Sequence, residues 1–238
     1  MATELISSEI AILCLTALSI GAIHTILGPD HYLPFVAMSK AGGWTARKTL
    51  GVTVACGLGH VAGSVAIGAA GLLLGIAVMQ LETFEGFRGE LAGWLLIGFG
   101  LAYAAWGVIR GLGDIPPSQF HPHAHPHAHG GAGIAAPAAA MATPAAVWAP
   151  WTAFLVFVFG PCEPLIPLLM YPAAKSSYGA VAAVAAAFAL ATVVTMVAAV
   201  MAMRYGLSFV QMPALGRFGH ALAGLAILMC GVLVKIGL

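Results

Sequence analysis

The sequence predicts an all-α integral membrane protein with six transmembrane helices, laid out as two inverted three-helix repeats whose first helices are broken. Three observations lead there. Of 238 residues, 61% are hydrophobic and only 7% are charged, whereas soluble chains carry about 25% charged residues. Six apolar stretches reach or approach the roughly 20 residues that a helical span requires. Finally, a Gly-Pro pair recurs at the same step in the two halves of the chain, at Gly28-Pro29 and Gly160-Pro161.

The six predicted spans cover 9–37, 50–79, 91–110, 149–171, 178–203 and 218–237. The first is interrupted at Gly28-Pro29 and the fourth at Gly160-Pro161. The runs are too long, and alternate too little, for transmembrane strands. The N-terminal "MATELISSEI" is acidic, unlike the basic start of a cleavable signal peptide. A net charge of +1 gives no electrostatic attraction for nucleic acid. The expected partner surface is the lipid bilayer.

Orientation follows from Lys and Arg, which favour the cytoplasmic side. With both termini outside, Lys40, Arg47, Lys48, Arg110, Arg204 and Arg217 are cytoplasmic, and only Arg88, Lys175 and Lys235 lie outside. Glu4, Glu9, Glu82, Glu85 and Glu90 then face outward. Residues 112–148 form a His/Pro/Gly/Ala-rich linker on the cytoplasmic side. It separates a first three-helix repeat, 1–111, from a second, 149–238. "GPDHYLPFVAM" from Gly28 aligns without a gap on "GPCEPLIPLLM" from Gly160, sharing Leu33 with Leu165 and Met38 with Met170. "LAGWLLIGFG" from Leu91 aligns on "LAGLAILMCG" from Leu222. Three spans per repeat put the second copy in upside down, an arrangement whose broken helices meet at a midplane substrate site.

Polar groups within the spans are the candidates for chemistry. Asp30 and Glu163 follow the two Gly-Pro pairs by one and two residues. A charge at bilayer depth costs at least about 2.5–3.5 kcal/mol. In an intact helix His24 and His31 would stand roughly 10 Å apart along the axis. Proline removes a backbone donor and glycine permits unusual dihedrals, so unwinding there brings His24, Asp30 and His31 towards one point. His60, in "CGLGHVAGS", is a third intramembrane imidazole, set among small residues that allow close helix approach. Cys162 and Glu163 are the second half's donors. Ser64 and Thr192 occupy loosely corresponding positions on the second and fifth spans. Met38 and Met170 are read as packing, Cys14 and Cys230 as apolar fillers, and His220 as interfacial.

Imidazole, carboxylate and thiolate together suit a divalent first-row transition metal, whereas magnesium and calcium prefer oxygen cages. The linker tract "HPHAHPHAHGG" places His121, His123, His125, His127 and His129 at every second residue, a pattern suited to weak auxiliary metal capture. No glycine-rich phosphate loop with its Lys is present. No enzyme activity and no tightly bound cofactor are expected.

These residues resemble the nickel/cobalt transporter superfamily, in particular its nickel/cobalt efflux and urease-accessory-like branch. The permeases of that group carry a His, four intervening residues and an Asp-His pair. Here five residues separate His24 from Asp30-His31. Their second motif, Leu-Gly-His-Ser, is similar to Leu58-Gly59-His60 with Ser64 displaced. The efflux branch adds a His-rich loop and a Pro-Cys-Pro motif, a position held here by "GPCEP". The resemblance implies a prokaryotic inner-membrane secondary carrier of nickel or cobalt, with zinc or iron as further cargo. It implies His24, Asp30, His31 and His60 as ligands or path residues. A homo-oligomer or a cytoplasmic metal-handling protein is the expected company. The Gly-Pro-Cys context is also similar to the thiol–disulfide electron carriers of the cytochrome-biogenesis family. That alternative needs a second cysteine near Cys162. The matching position holds Asp30, which leaves Cys56.

Overall fold

The computed structural model describes residues 2–74, 78–113, 144–160, 162, 164–175, 177–207 and 213–237, and is helical throughout, with no strand among them. Helices α1 (Ala2–Leu27) and α2 (Leu33–Ala41) flank a single 3-10 turn, Pro29–His31. There follow α3 (Ala46–Leu74), α4 (Val78–Gly113), α5 (Pro144–Phe159), α6 (Leu165–Ala174) and α7 (Tyr178–Gly206). A 3-10 segment, Pro213–Phe218, leads into α8 (Gly219–Lys235).

Among the described residues, five helical stretches are long and apolar enough to cross a bilayer: Ser8–Leu27, Ala46–Gly71, Met79–Gly113, Tyr178–Gly206 and Gly216–Lys235. The stretch expected at 149–171, interrupted at Gly160-Pro161, is two short helices of 16 and 10 residues. The prolines of "GPCEP" withdraw two backbone donors, and α5 ends at Phe159. The third expected span differs. It starts at Val78 rather than near 91, because Gln80, Glu82, Glu85 and Glu90 are good helix formers despite their polarity.

The outside of this assembly is apolar. Leu15 is 65% exposed, Leu27 71%, Trp151 63% and Tyr178 80%. In water such a surface would aggregate. In hydrocarbon it is the normal exterior of helices that satisfy their own backbone. The chain is a multi-pass membrane protein.

Small residues decide how the helices meet. Helices α4 and α8 pack antiparallel along their length, with Gly93 against Lys235, Gly100 against Leu228, Ala104 against Gly224, and Gly107 against Ala221. At Gly100, Gly107 and Gly224 a Cβ atom would collide with the backbone of the facing helix. This is the close approach that glycine permits between membrane helices. Helix α1 runs parallel to α7: Glu9 pairs with Lys175 just before α7, and Gly21 lies against Phe188 and Thr192. Helix α3 runs parallel to α5 and on to α6, with Gly59, Gly63 and Gly68 lying in turn against Phe154, Val158 and Leu169.

Two buried apolar clusters result. One centres on Phe35, Met38, Phe157, Met196 and Ile227, the other on Ala17, Cys162, Leu165, Val184 and Phe188. The two helix breaks sit between them. Gly100→Val or Gly224→Val is expected to lower unfolding stability by about 3 kcal/mol or more, the upper range for overpacking. Gly98→Ala, which meets nothing within 4 Å, should leave it unchanged. Thermal denaturation in detergent measures both.

Candidate metal centre

The first break is set by backbone chemistry. Gly28 precedes a proline and is driven out of the helical region, to φ −88° and ψ 96°. The chain then recaps itself. The Gly28 carbonyl accepts both the His31 backbone N–H, at 3.1 Å, and the ring Nδ1 of His31, also at 3.1 Å. The Tyr32 hydroxyl donates back to the Ile26 carbonyl at 3.3 Å. A side chain at residue 28 has no room, since its Cβ would stand 2.5 Å from His31 Nδ1 and 2.8 Å from Asp30 Oδ1.

This turn throws His31 inward beside His24, with ring centroids 4.7 Å apart. From α3, His60 closes on both, 5.1 Å from His31 and 6.4 Å from His24 between centroids. The Nε2 atoms of all three rings are buried and have no hydrogen-bond partner. For two of them the tautomer follows from the neighbours. A carbonyl oxygen can only accept, so His31 Nδ1 donates to Gly28, and His60 Nδ1 donates to the Phe157 carbonyl at 3.2 Å. Neutral His31 and His60 therefore present bare Nε2 lone pairs. Metal-binding histidines are oriented in this way by a backbone carbonyl or carboxylate on the other nitrogen. Asp30 supplies the carboxylate, its Oδ1 lying 3.2 Å from His31 Nδ1.

The tightest donor set is His24, His60 and Cys162, whose ligand atoms all lie within 4.8 Å of one another. Around a tetrahedral ion, nitrogen and sulfur ligands stand about 3.5 Å apart. Closing the difference takes side-chain rotation of roughly an ångström. The regrouping differs from the sequence expectation. His24, Asp30 and His31 do converge, but the tight set draws on α1, α3 and the second break, while His31 adjoins it and Asp30 braces His31. Glu163 and the tract His121, His123, His125, His127 and His129 lie outside the described residues. Met38 is packed in the apolar core, and His220 sits against Trp106 with its Nδ1 2.9 Å from the Tyr103 hydroxyl.

Two charged residues expected on the outer rim are instead interior. Glu85 is 0% and Arg88 5% exposed, and they form an ion pair one turn apart on α4. Ser64, one turn beyond His60 on α3, donates to Glu85 at 3.1 Å. Burial is tolerable because each charge is paired and hydrogen-bonded. With Asp30, Glu85 becomes a second carboxylate within the apolar region among the described residues. The signal available in the sequence was the opposite charges at i and i+3.

A cavity of about 450 Å³ lies against the imidazoles, and its lining includes His24, Asp30, His31 and His60 together with Ala92, Leu96, Val234 and Gly237. All four cysteines are free. Cys56 packs in the cluster around Phe157, and Cys162 in the one around Phe188.

No family model, curated protein or solved structure matches this chain.

Two substitutions probe it. Gly28→Ala is expected to displace His31 and weaken cobalt(II) affinity at least tenfold, whereas Gly51→Ala, which meets nothing within 4 Å, should not. Isothermal titration reads both. His24→Leu is expected to abolish cobalt binding yet raise the stability of the metal-free protein by about 1 kcal/mol, because it removes an unsatisfied buried nitrogen. A fall in the metal-free melting temperature would mean that His24 has a structural role.

Proposed function

We propose that this chain is a secondary transporter of a divalent transition-metal ion, nickel or cobalt first, working by alternating access. One observation carries the reading: three imidazoles from α1, the first break and α3 bury unpartnered Nε2 atoms beside one another at the wall of a cavity, with a thiol from the second break next to two of them. An unpaired buried polar atom costs about 1–3 kcal/mol on mutational scales. A shared cation would satisfy all three at once.

The donor chemistry supports the cargo. Imidazole and thiol suit borderline metals, and hard ions such as magnesium are disfavoured. The ligating imidazole is neutral, so protons compete with the ion and offer a means of coupling. Resemblance to the nickel/cobalt transporters rests on the same His24, Asp30-His31 and His60.

The architecture proposed for transport is the inverted repeat, with α1–α2, α3 and α4 matching α5–α6, α7 and α8. Several features support it. Each half opens with a helix broken at Gly-Pro, and α3 and α7 are both 29 residues long. Helices α4 and α8 pack against each other antiparallel. The pair α1–α7 and its exchanged counterpart α5–α3 both run parallel. In this reading α5 and α6 together make the sixth crossing, both termini lie outside, and the His tract gathers ions at the cytoplasmic mouth. Rocking of one repeat against the other alternates access.

The test is metal flux in proteoliposomes across nickel, cobalt, zinc, iron and copper. His24→Ala and His60→Ala are expected to abolish flux, and Cys56→Ala to retain it. Variants that carry every metal at wild-type rates would refute the site. Loss with Cys56→Ala alone would point to thiol–disulfide transfer. Cobalt at a hundredfold excess over its Kd should also stabilise the detergent-solubilised protein by about 2.7 kcal/mol, read as a rise in melting temperature.

A further inference from the structure

The two helix breaks are held differently. The first caps itself through Gly28, His31 and Tyr32. The second is gripped from outside by one ion pair on α4. Helix α5 ends at Phe159, and its last carbonyls have no intrahelical donor. Arg88 meets them, donating from Nη2 to Val158 at 2.8 Å and to Gly160 at 3.2 Å. Beyond the break, the Cys162 N–H donates to Glu85 Oε2 at 3.1 Å. The same Glu85 accepts from Arg88 and from Ser64. A single buried pair thus binds both lips of the break, the carbonyl side through the cation and the amide side through the anion.

Space is reserved for this grip. A Cβ at Gly63 would stand 2.7 Å from the Val158 carbonyl and 2.9 Å from Arg88 Nη2. Glycine there lets the guanidinium reach the α5 terminus past α3. The network also shares parts with the donor set. Ser64 follows His60 by one turn on α3, and Phe157, whose carbonyl orients His60, adjoins Val158.

We propose that the Glu85–Arg88 pair is a positioning device that holds the sulfur of Cys162 in the metal-binding set, and that it thereby gives the site its preference for thiophilic over hard cations. The proposal rests on the transport reading above. A carboxylate and a guanidinium are costly in an apolar interior, and simple helix capping does not require both. Fixing a cysteine whose backbone sits in a helix break does require both, because the lips on either side expose opposite hydrogen-bonding groups. When an ion binds, the S–H bond breaks, a metal–sulfur bond forms, and the proton is released to bulk solvent. Sulfur ligation selects borderline and soft metals, whereas manganese(II) prefers oxygen.

The experiment uses the full-length chain in detergent with Cys14, Cys56 and Cys230 changed to Ala, so that Cys162 is the single thiol. The double variant Glu85→Gln/Arg88→Met removes both charges together and leaves neither buried alone. Cobalt(II) bound to the parent is expected to show the near-ultraviolet thiolate-to-cobalt charge-transfer band, and Cys162→Ser to lack it. The double variant should still bind cobalt through its imidazoles, lose that band, and lower the cobalt-to-manganese preference about tenfold. In the metal-free protein, N-ethylmaleimide should label Cys162 at least tenfold faster in the double variant than in the parent. Ser64→Ala, which deletes one hydrogen bond and no charge, should shift both readouts two- to threefold in the same direction, and it decides the matter if the double variant does not fold. An intact charge-transfer band with unchanged labelling would overturn the positioning role. A parent that binds no cobalt would refute the transport reading instead, and the labelling comparison would still decide whether the pair holds the break.

Discussion

Every backbone group exposed by a broken membrane helix has to be satisfied inside the protein, because hydrocarbon offers no partner. The rest of this structure depends on how that constraint is met twice. At the first break a glycine without a side chain lets His31 fold back onto the freed carbonyl, so the capping group and the candidate ligand are one residue. At the second, the carbonyls and the amide are met by a buried ion pair from another helix. Both solutions place polar groups in the interior, and they bring donor atoms from the two halves within 4.8 Å of one another.

Capping and ligation are therefore coupled through the two nitrogens of an imidazole. His31 and His60 each use Nδ1 to satisfy a carbonyl near a break. That bond fixes the tautomer and leaves Nε2 as a bare acceptor. In a dry core such a nitrogen is unfavourable, yet around a cation it is a formed ligand that needs no reorganisation. A helix interruption thus produces, by one hydrogen bond, both a stable turn and an oriented donor. Asp30 reinforces the arrangement from the side, with its carboxylate beside the Nδ1 atom that the Gly28 carbonyl already holds.

Much of this was legible in the sequence. Gly-Pro at Gly28 announced a break, because proline and the residue before it have few other options inside a helix. Intramembrane imidazoles at His24, His31 and His60 announced polar chemistry, because their cost demands a return. The interruption of the fourth span at Gly160-Pro161 was announced in the same way. What was not legible lies mainly on α4. Hydropathy averages apolar content and trimmed that helix to its apolar part, and Glu85 and Arg88 were assigned to the outer rim. Their true partners, the carbonyls of Val158 and Gly160 and the amide of Cys162, are backbone groups some 70 residues away, and no side-chain pattern reveals a backbone partner. Cys162 was named as a second-half donor, but its place beside His24 and His60 was hidden for the same reason, because it is fixed by its own N–H rather than by its neighbours in sequence.

The division of labour between the halves has a consequence for how the proposed carrier would let go of its cargo. Nitrogen donors come from α1, the first break and α3, all in the first half, while the sulfur comes from the break between α5 and α6. An ion held by both halves is held across the surface on which the halves would move. Displacing one against the other would lengthen the metal–sulfur contact before it disturbed the imidazoles, which all come from the first half of the chain. Loss of a single ligand from a small set weakens binding without dismantling the site. Conduction through any binding site needs this compromise, since an ion coordinated entirely by one rigid unit would bind well and leave slowly. The buried pair on α4 complicates the picture productively: it belongs to the first half yet holds the second half's break, so the sulfur stays with the imidazoles until the grip of Arg88 on Val158 and Gly160 is released. Motion of α5 away from α4 is thus the step that would couple rocking to ligand loss.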